Sequence, residues 1–235
     1  MLESYRNTPL YTVARADALE RATFIRRTYA HLAGALLVFA ALEYVLLQLP
    51  IAPEMISLMT GGYGWLVVMG LFMVVSMVAN TWAVSAKSLG LQYAGLALYV
   101  VAEAVIFLPL LYVAQRIAGP QVIGAAGVAT LALFAGLTAT VFITRKDFSF
   151  MGPVLAVAGM IAMGVIVCAI LFGFNLGTLF AGAMALFAGG AILYSTSNVL
   201  LRYRTDQYVA ASLSLFAAVA LLFWYILRIF LSRNN

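Results

Sequence analysis

The sequence predicts an all-α integral membrane protein, a bundle of seven transmembrane helices with a cytoplasmic N-terminus. Three observations predict it. Hydrophobic residues make up 65% of the 235 residues and charged ones 9%, whereas soluble domains are about one quarter charged; mean hydropathy is +1.06. Long apolar stretches follow one another with only short polar breaks, and about 20 apolar residues suffice to cross a hydrocarbon core as a helix. The basic residues sort by side. Arg6, Arg15, Arg21, Arg26, Arg27, Lys87, Arg145, Lys146, Arg202 and Arg204 fall on the side of the N-terminus, against Arg116, Arg228 and Arg233 on the other. That asymmetry places the N-terminal side in the cytoplasm.

The spans are expected near 28–49, 62–80, 90–115, 120–143, 150–172, 177–201 and 208–230. They are continuously apolar, without the alternation of a transmembrane strand, which excludes a barrel. Residues 1–27 are polar and no small-residue cleavage site follows the first apolar run. The first span therefore reads as a retained anchor, with 1–27 a cytoplasmic arm and 28–235 the transmembrane domain. Within the arm, Arg15 to Arg27 suits an amphipathic interfacial helix. The connector at 50–61 holds Pro50, Pro53 and Gly61-Gly62 and reads as a turn-rich loop. The third span contains Pro109, which predicts a kink or tilt. Ala132, Gly136 and Thr140 in the fourth span, and Ala181, Ala185 and Gly189 in the sixth, recur every four residues and would admit a neighbouring backbone. Trp65, Trp82, Trp224, Tyr63 and Tyr112 suit the interfacial aromatic belt.

Polar groups in these spans call for an account, because an ionisable residue at a helix centre costs about 2.5–3.5 kcal/mol on insertion scales. Glu103 lies halfway along the third span, either on a proton or cation path or hydrogen-bonded to a neighbouring helix. Glu43 lies nearer the outer end of the first span, within reach of interfacial water. His31, the single histidine, sits one turn inside the cytoplasmic boundary. Ser195-Thr196-Ser197-Asn198 closes the sixth span, where it could cap the helix, bridge to a neighbour or line a wet vestibule; Ser212 and Ser214 start from the same side. Cys168, the single cysteine, reads as a small buried packing residue and excludes an intramolecular disulfide. Hydrolase and phosphate-loop motifs are lacking, and the aspartates Asp17, Asp147 and Asp206 all fall in aqueous segments. No enzymatic activity, cofactor, metal site or nucleic-acid partner is expected. Topology and anionic headgroups account for the net charge of +5.

Several segments resemble the Bax inhibitor family, particularly its bacterial YccA-like branch. These are Arg26-Arg27-Thr28-Tyr29, then Thr144-Arg145-Lys146-Asp147-Phe148-Ser149-Phe150, then Gly190-Ala191-Ile192-Leu193-Tyr194 followed by Thr196-Ser197-Asn198. Tyr208 and Ala211-Ser212-Leu213-Ser214-Leu215 extend the resemblance. It implies seven helices with the last one central, a protective or regulatory role, and, for the YccA-like branch, restraint of the membrane-anchored protease FtsH. It also implies a pH-sensitive calcium leak tied to two acids, one after the Ile-Leu-Tyr pattern and one in the last helix. Here those positions hold Ser195 and, at about its place, Ala218. Neither carries a negative charge, and calcium wants carboxylate oxygens. The leading expectation is a non-enzymatic, multi-pass protein of the bacterial inner membrane. It would modulate membrane protein quality control through a partner such as FtsH, with Arg26, Arg27, Arg145, Lys146 and Asp147 as the cytoplasmic contact. The alternative is a cation or proton leak lined by Glu103, Ser195 and Asn198.

Overall fold

A computed structural model describes residues 12–50, 52–85 and 88–232. Eight α-helices occur among them: α1 (Ala18–Gln48), α2 (Ala52–Thr60), α3 (Gly64–Ala83), α4 (Leu89–Ile117), α5 (Pro120–Thr144), α6 (Met151–Phe172), α7 (Gly177–Leu201) and α8 (Tyr208–Ser232). All but α2 are long and apolar enough to cross a membrane. The exposed residues of the spans are large apolar ones such as Leu71, Met77, Ile161, Phe172 and Leu186. Only a lipid surround tolerates that exterior.

The helix starts are chemically marked. Asp17 accepts the Glu20 N–H at 2.7 Å and caps α1, ten residues before the first apolar run was expected to enter the bundle. Arg26 and Arg27 thus ride on one continuous helix of about 46 Å, with Arg15 in a separate short 3-10 turn at Val13–Arg15. Ser88 accepts from Leu91 N–H to cap α4, and Pro120 opens α5 at a position where its missing N–H costs nothing. The supposed turn-rich connector contains α2. Pro53 is its second residue, where a proline supports a helix instead of breaking it. α4 continues through Pro109. Arg6, Lys87 and Arg233 lie outside the described residues.

Burial ranks the helices. In α8, 72% of the apolar window is buried, against 50% in α4 and 28% or less elsewhere. α8 packs on α1, α3, α4, α5 and α7, and Phe216 at its middle meets Phe39 at 5.9 Å and Tyr99 at 6.1 Å. The last helix is therefore the axis of the bundle. One end carries Arg15, Arg21, Arg26, Arg27, Arg145, Lys146, Arg202 and Arg204; it is called the basic end below. Here Val13 N–H donates to Tyr203 O at 2.9 Å, and Thr205 Oγ1 donates to Glu20 Oε1 at 2.6 Å.

Of the two expected stripes, the one in the sixth span is packed at Ala181 and Ala185, and the one in the fourth is not. One close contact between two spanning helices is at Gly95 of α4, where a Cβ would lie 2.5 Å from Ala79 O and 2.7 Å from Ala83 N of α3. Gly136 has nothing within 4 Å of that position, and Ala132 and Thr140 are exposed with it, so the α5 stripe faces outward. On α7, Ala181 is buried and Gly189 meets only the Leu137 side chain at 3.5 Å. Cys168 is exposed on α6 and not buried, because α6 is a peripheral helix with little of its surface covered.

Candidate functional site

Two acids separated by 60 positions are both buried inside the bundle. Glu43 stands near the far end of α1 and Glu103 midway along α4; they are 4% and 7% exposed. The helices bring the carboxyls within electrostatic reach of one another. Glu43 is not satisfied at an interface, as its place in the sequence suggested: both of its oxygens are buried without a hydrogen-bond partner. Glu103 faces the Tyr99 hydroxyl one helical turn away, and Ser76 of α3 lies on the other side of that tyrosine. Glu103 also lines a cavity of about 210 Å³ between α3, α4, α6 and α8, which reaches Trp65, Trp224 and Arg228 toward the end opposite the basic one. Trp65 and Trp224 stack at 6.1 Å along its wall. Among the described residues no group of three His, Cys, Asp or Glu side chains could hold a metal ion.

The Ser195 region is built of hydroxyls. Ser195 of α7 and Ser214 of α8 share a hydrogen bond of 3.0 Å, with Ala218 one turn further along α8 and 5% exposed. Ser197 accepts the Phe148 N–H at 3.0 Å, tying α7 to the α5–α6 loop. The segment thus bridges to neighbours, as Ser214 led one to expect; Ser212 bonds instead to Val209 O of its own helix at 2.7 Å. Thr28 and Tyr29 of α1, Thr138 of α5, and Thr196 and Asn198 of α7 each present a buried side-chain oxygen without a protein partner. Tyr29 faces Thr138 and Thr196, though no contact closes to hydrogen-bond geometry.

His31 links three helices. Its Nε2 and the Tyr93 hydroxyl are 2.8 Å apart, its Nδ1 lies 2.6 Å from Arg27 O, and its ring centroid is 5.1 Å from that of Tyr208. Arg27 stands 5.5 Å over Tyr208. The other basic-end residues are more open. Arg26 and Lys146 are exposed, and Arg145 closes α5 in the left-handed conformation at φ 52°. Asp147 accepts the Ser149 N–H at 2.8 Å and lies 3.9 Å from Arg202. The Ser149 backbone N–H, its hydroxyl and, more weakly, Arg202 hold that carboxyl below its ordinary value.

Sequence order alone did not pair Glu43 with Glu103, and it overlooked Gly95, Tyr99 and Gln92. For Gly95 a signal existed: Ala79 and Ala83 are four residues apart on α3 and are both essentially unexposed.

An α-helical, multi-pass membrane bundle of seven spans, organised around its last helix and carrying embedded carboxyls, is the class these features define. Residues 21–235 match the family model described as inhibitor of apoptosis-promoting Bax1. The chain belongs to the Bax inhibitor family. It is 26% identical over 219 residues to an uncharacterised protein of Pseudomonas aeruginosa, covering 92% of each chain. To an Arabidopsis thaliana BI1-like protein it is 36% identical over 113 residues, 45% of this chain and 43% of that one. Protein LIFEGUARD 4 of the same plant is 32% identical over 115 residues, 47% of each. The matches to the two plant proteins thus span less than half of their length.

Proposed function

We propose that this chain is a non-enzymatic protein of the bacterial inner membrane whose working part is the Glu43–Glu103 pair, a proton- or monovalent-cation-exchanging site on a slow leak path. The supporting observation is the burial of two carboxyls on α1 and α4, within electrostatic reach of one another, with both Glu43 oxygens unpartnered. Two like charges in a weakly polarisable surround repel, and the pair favours holding a proton or a small cation between them. The cavity beside Glu103 supplies one approach. The orphaned hydroxyls near Ser195 and Asn198 supply a polar lining toward the basic end. Calcium passage on the family's helix pair is not part of this reading, because Ser195 and Ala218 offer no carboxylate. Purified protein in liposomes carrying pH and cation dyes tests it. Flux above protein-free vesicles, reduced by Glu43→Gln and by Glu103→Gln, is the expected result; undiminished flux in both variants refutes it.

A second reading is favoured by the exposed charges of the basic end. Arg26, Arg27, Arg145, Lys146 and Asp147 are all exposed, and a cytoplasmic partner would contact them. In that reading the protein modulates membrane protein quality control by binding a partner such as FtsH. Recovery of the protease on full-length protein, compared with a deletion of 1–20 and with Arg145→Glu plus Lys146→Glu, decides it. Equal recovery from all three removes this surface from consideration.

A further inference from the structure

Two recesses lie end to end between α1 and α4. At the basic end is a polar crevice of about 630 Å³ whose walls include Glu20, Arg27, Gln92, Asp206 and Tyr208. One turn deeper is an apolar groove of about 430 Å³ along Ala30, Gly34, Val38, Ala97 and Val100. They meet at the His31–Tyr93–Tyr208 cluster, with Arg27 above it. The groove exists because its floor is made of small residues: a Cβ on Gly34 would find nothing within 4 Å.

The crevice asks for a particular head. Gln92 is 6% exposed; its Nε2 donates to Ser85 O at 2.8 Å, which leaves Oε1 buried with no partner. That oxygen waits for a donor. Glu20 accepts from Thr205, and Asp206 accepts from Arg204 at 2.6 Å, but each carboxylate has lone pairs to spare. The Arg27 guanidinium offers a phosphate the opposite charge. One wall of the crevice therefore suits an anion and the other an N–H donor. A choline headgroup has the phosphate without the donor. A phosphoglycerol headgroup brings a net negative charge to a wall already holding two carboxylates.

We propose that this recess binds one phospholipid with a phosphoethanolamine headgroup, its phosphate at Arg27, its ammonium at Gln92 Oε1 and the two acids, and one acyl chain along the Gly34 groove. The site does not depend on the acid pair deeper in the bundle. Native mass spectrometry and thermal melts of the full chain, delipidated in detergent and supplied in turn with dioleoyl phosphatidylethanolamine, phosphatidylcholine and phosphatidylglycerol, test it. The ethanolamine lipid should bind about tenfold more tightly than the choline lipid, the worth of one charge-assisted hydrogen bond. Gly34→Leu fills open space and should abolish retention of the lipid while leaving the melt in lipid-free detergent unchanged. Gln92→Met should erase the preference for ethanolamine over choline. Equal binding of the ethanolamine and choline lipids, tighter binding of phosphatidylglycerol, or undiminished retention by Gly34→Leu would each overturn the proposal; Gly34→Leu keeps it testable if Gln92→Met fails to fold.

Discussion

Replacing Gly95 by alanine adds one methyl group where α4 crosses α3, and the structure says that the methyl has nowhere to go. It would sit 2.5 Å from Ala79 O, 2.7 Å from Ala83 N and 3.0 Å from the Trp82 Cβ. The first two are backbone atoms of a helix, so no flexible side chain can swing away. To restore ordinary contact, α3 must withdraw by roughly 1 Å. A radial gap of about 0.5–1 Å already forfeits a quarter to a half of each atomic attraction along the contact. Lipid supplies no hydrophobic push between helices to make up the loss. Overpacking of this kind costs about 1–3 kcal/mol, against a gain of up to about 1 kcal/mol from the better helix propensity of alanine. The net expectation for Gly95→Ala is a loss of about 1–2 kcal/mol, and Gly95→Leu should prevent assembly. Unfolding in mixed micelles with rising sodium dodecyl sulfate, followed by tryptophan fluorescence, measures it, since Trp82 borders the contact. Gly34→Ala is the control: with open space around it, it should be neutral or slightly stabilising. If Gly95→Ala matched the wild type while Gly34→Ala fell below it, the reasoning from close approach would be refuted.

The other predictions concern single groups at the basic end and the pair in the core. Arg145 holds φ 52° at the end of α5, so Arg145→Gly should stabilise by up to about 1 kcal/mol and Arg145→Val should lose comparably or more, both read from thermal melts. Asp147 has a lowered folded value. Its contribution is therefore present above the ordinary aspartate value of about 3.9 and fades as pH falls through the folded value. The melting difference between wild type and Asp147→Asn should be present at neutral pH and vanish in strong acid, and a difference independent of pH would contradict this. Ser195→Ala leaves Ser214 without its 3.0 Å partner and should cost about 0.5–1.5 kcal/mol, while the double variant Ser195→Ala, Ser214→Ala should cost less than the sum of the singles in the same melts. Glu43→Gln combined with Glu103→Gln should bind fewer protons than wild type in a potentiometric titration of the detergent-solubilised protein; equal proton uptake would contradict a titrating pair.

The seven crossings were legible because lipid demands unbroken apolar length, and that demand is written locally. What is not local was hidden. Glu43 and Glu103 sit on helices that are apolar nearly all round, so no stripe marks which face turns inward. Their meeting depends on the rotation of α1 against α4, which side-chain packing sets. The α5 stripe of Ala132, Gly136 and Thr140 had the right spacing for close packing and yet faces outward. Spacing records that a neighbour could approach, not that one does. Pro53 was read as a breaker, although proline is at home in the first turn of a helix. Asp17 could have been read as the cap of α1, since an acid or hydroxyl ahead of a helical run, here followed by Glu20, is the usual start signal.

The helix that forms the axis is made after the seven other helices described above. During translation the earlier segments reach the membrane before the element on which α1, α5 and α7 pack, and Ser195 waits for the hydroxyl of Ser214. A nascent chain halted after residue 207 would therefore own six crossings and no centre. Loss of the 25 residues of α8 removes the hub of the molecule rather than one seventh of it.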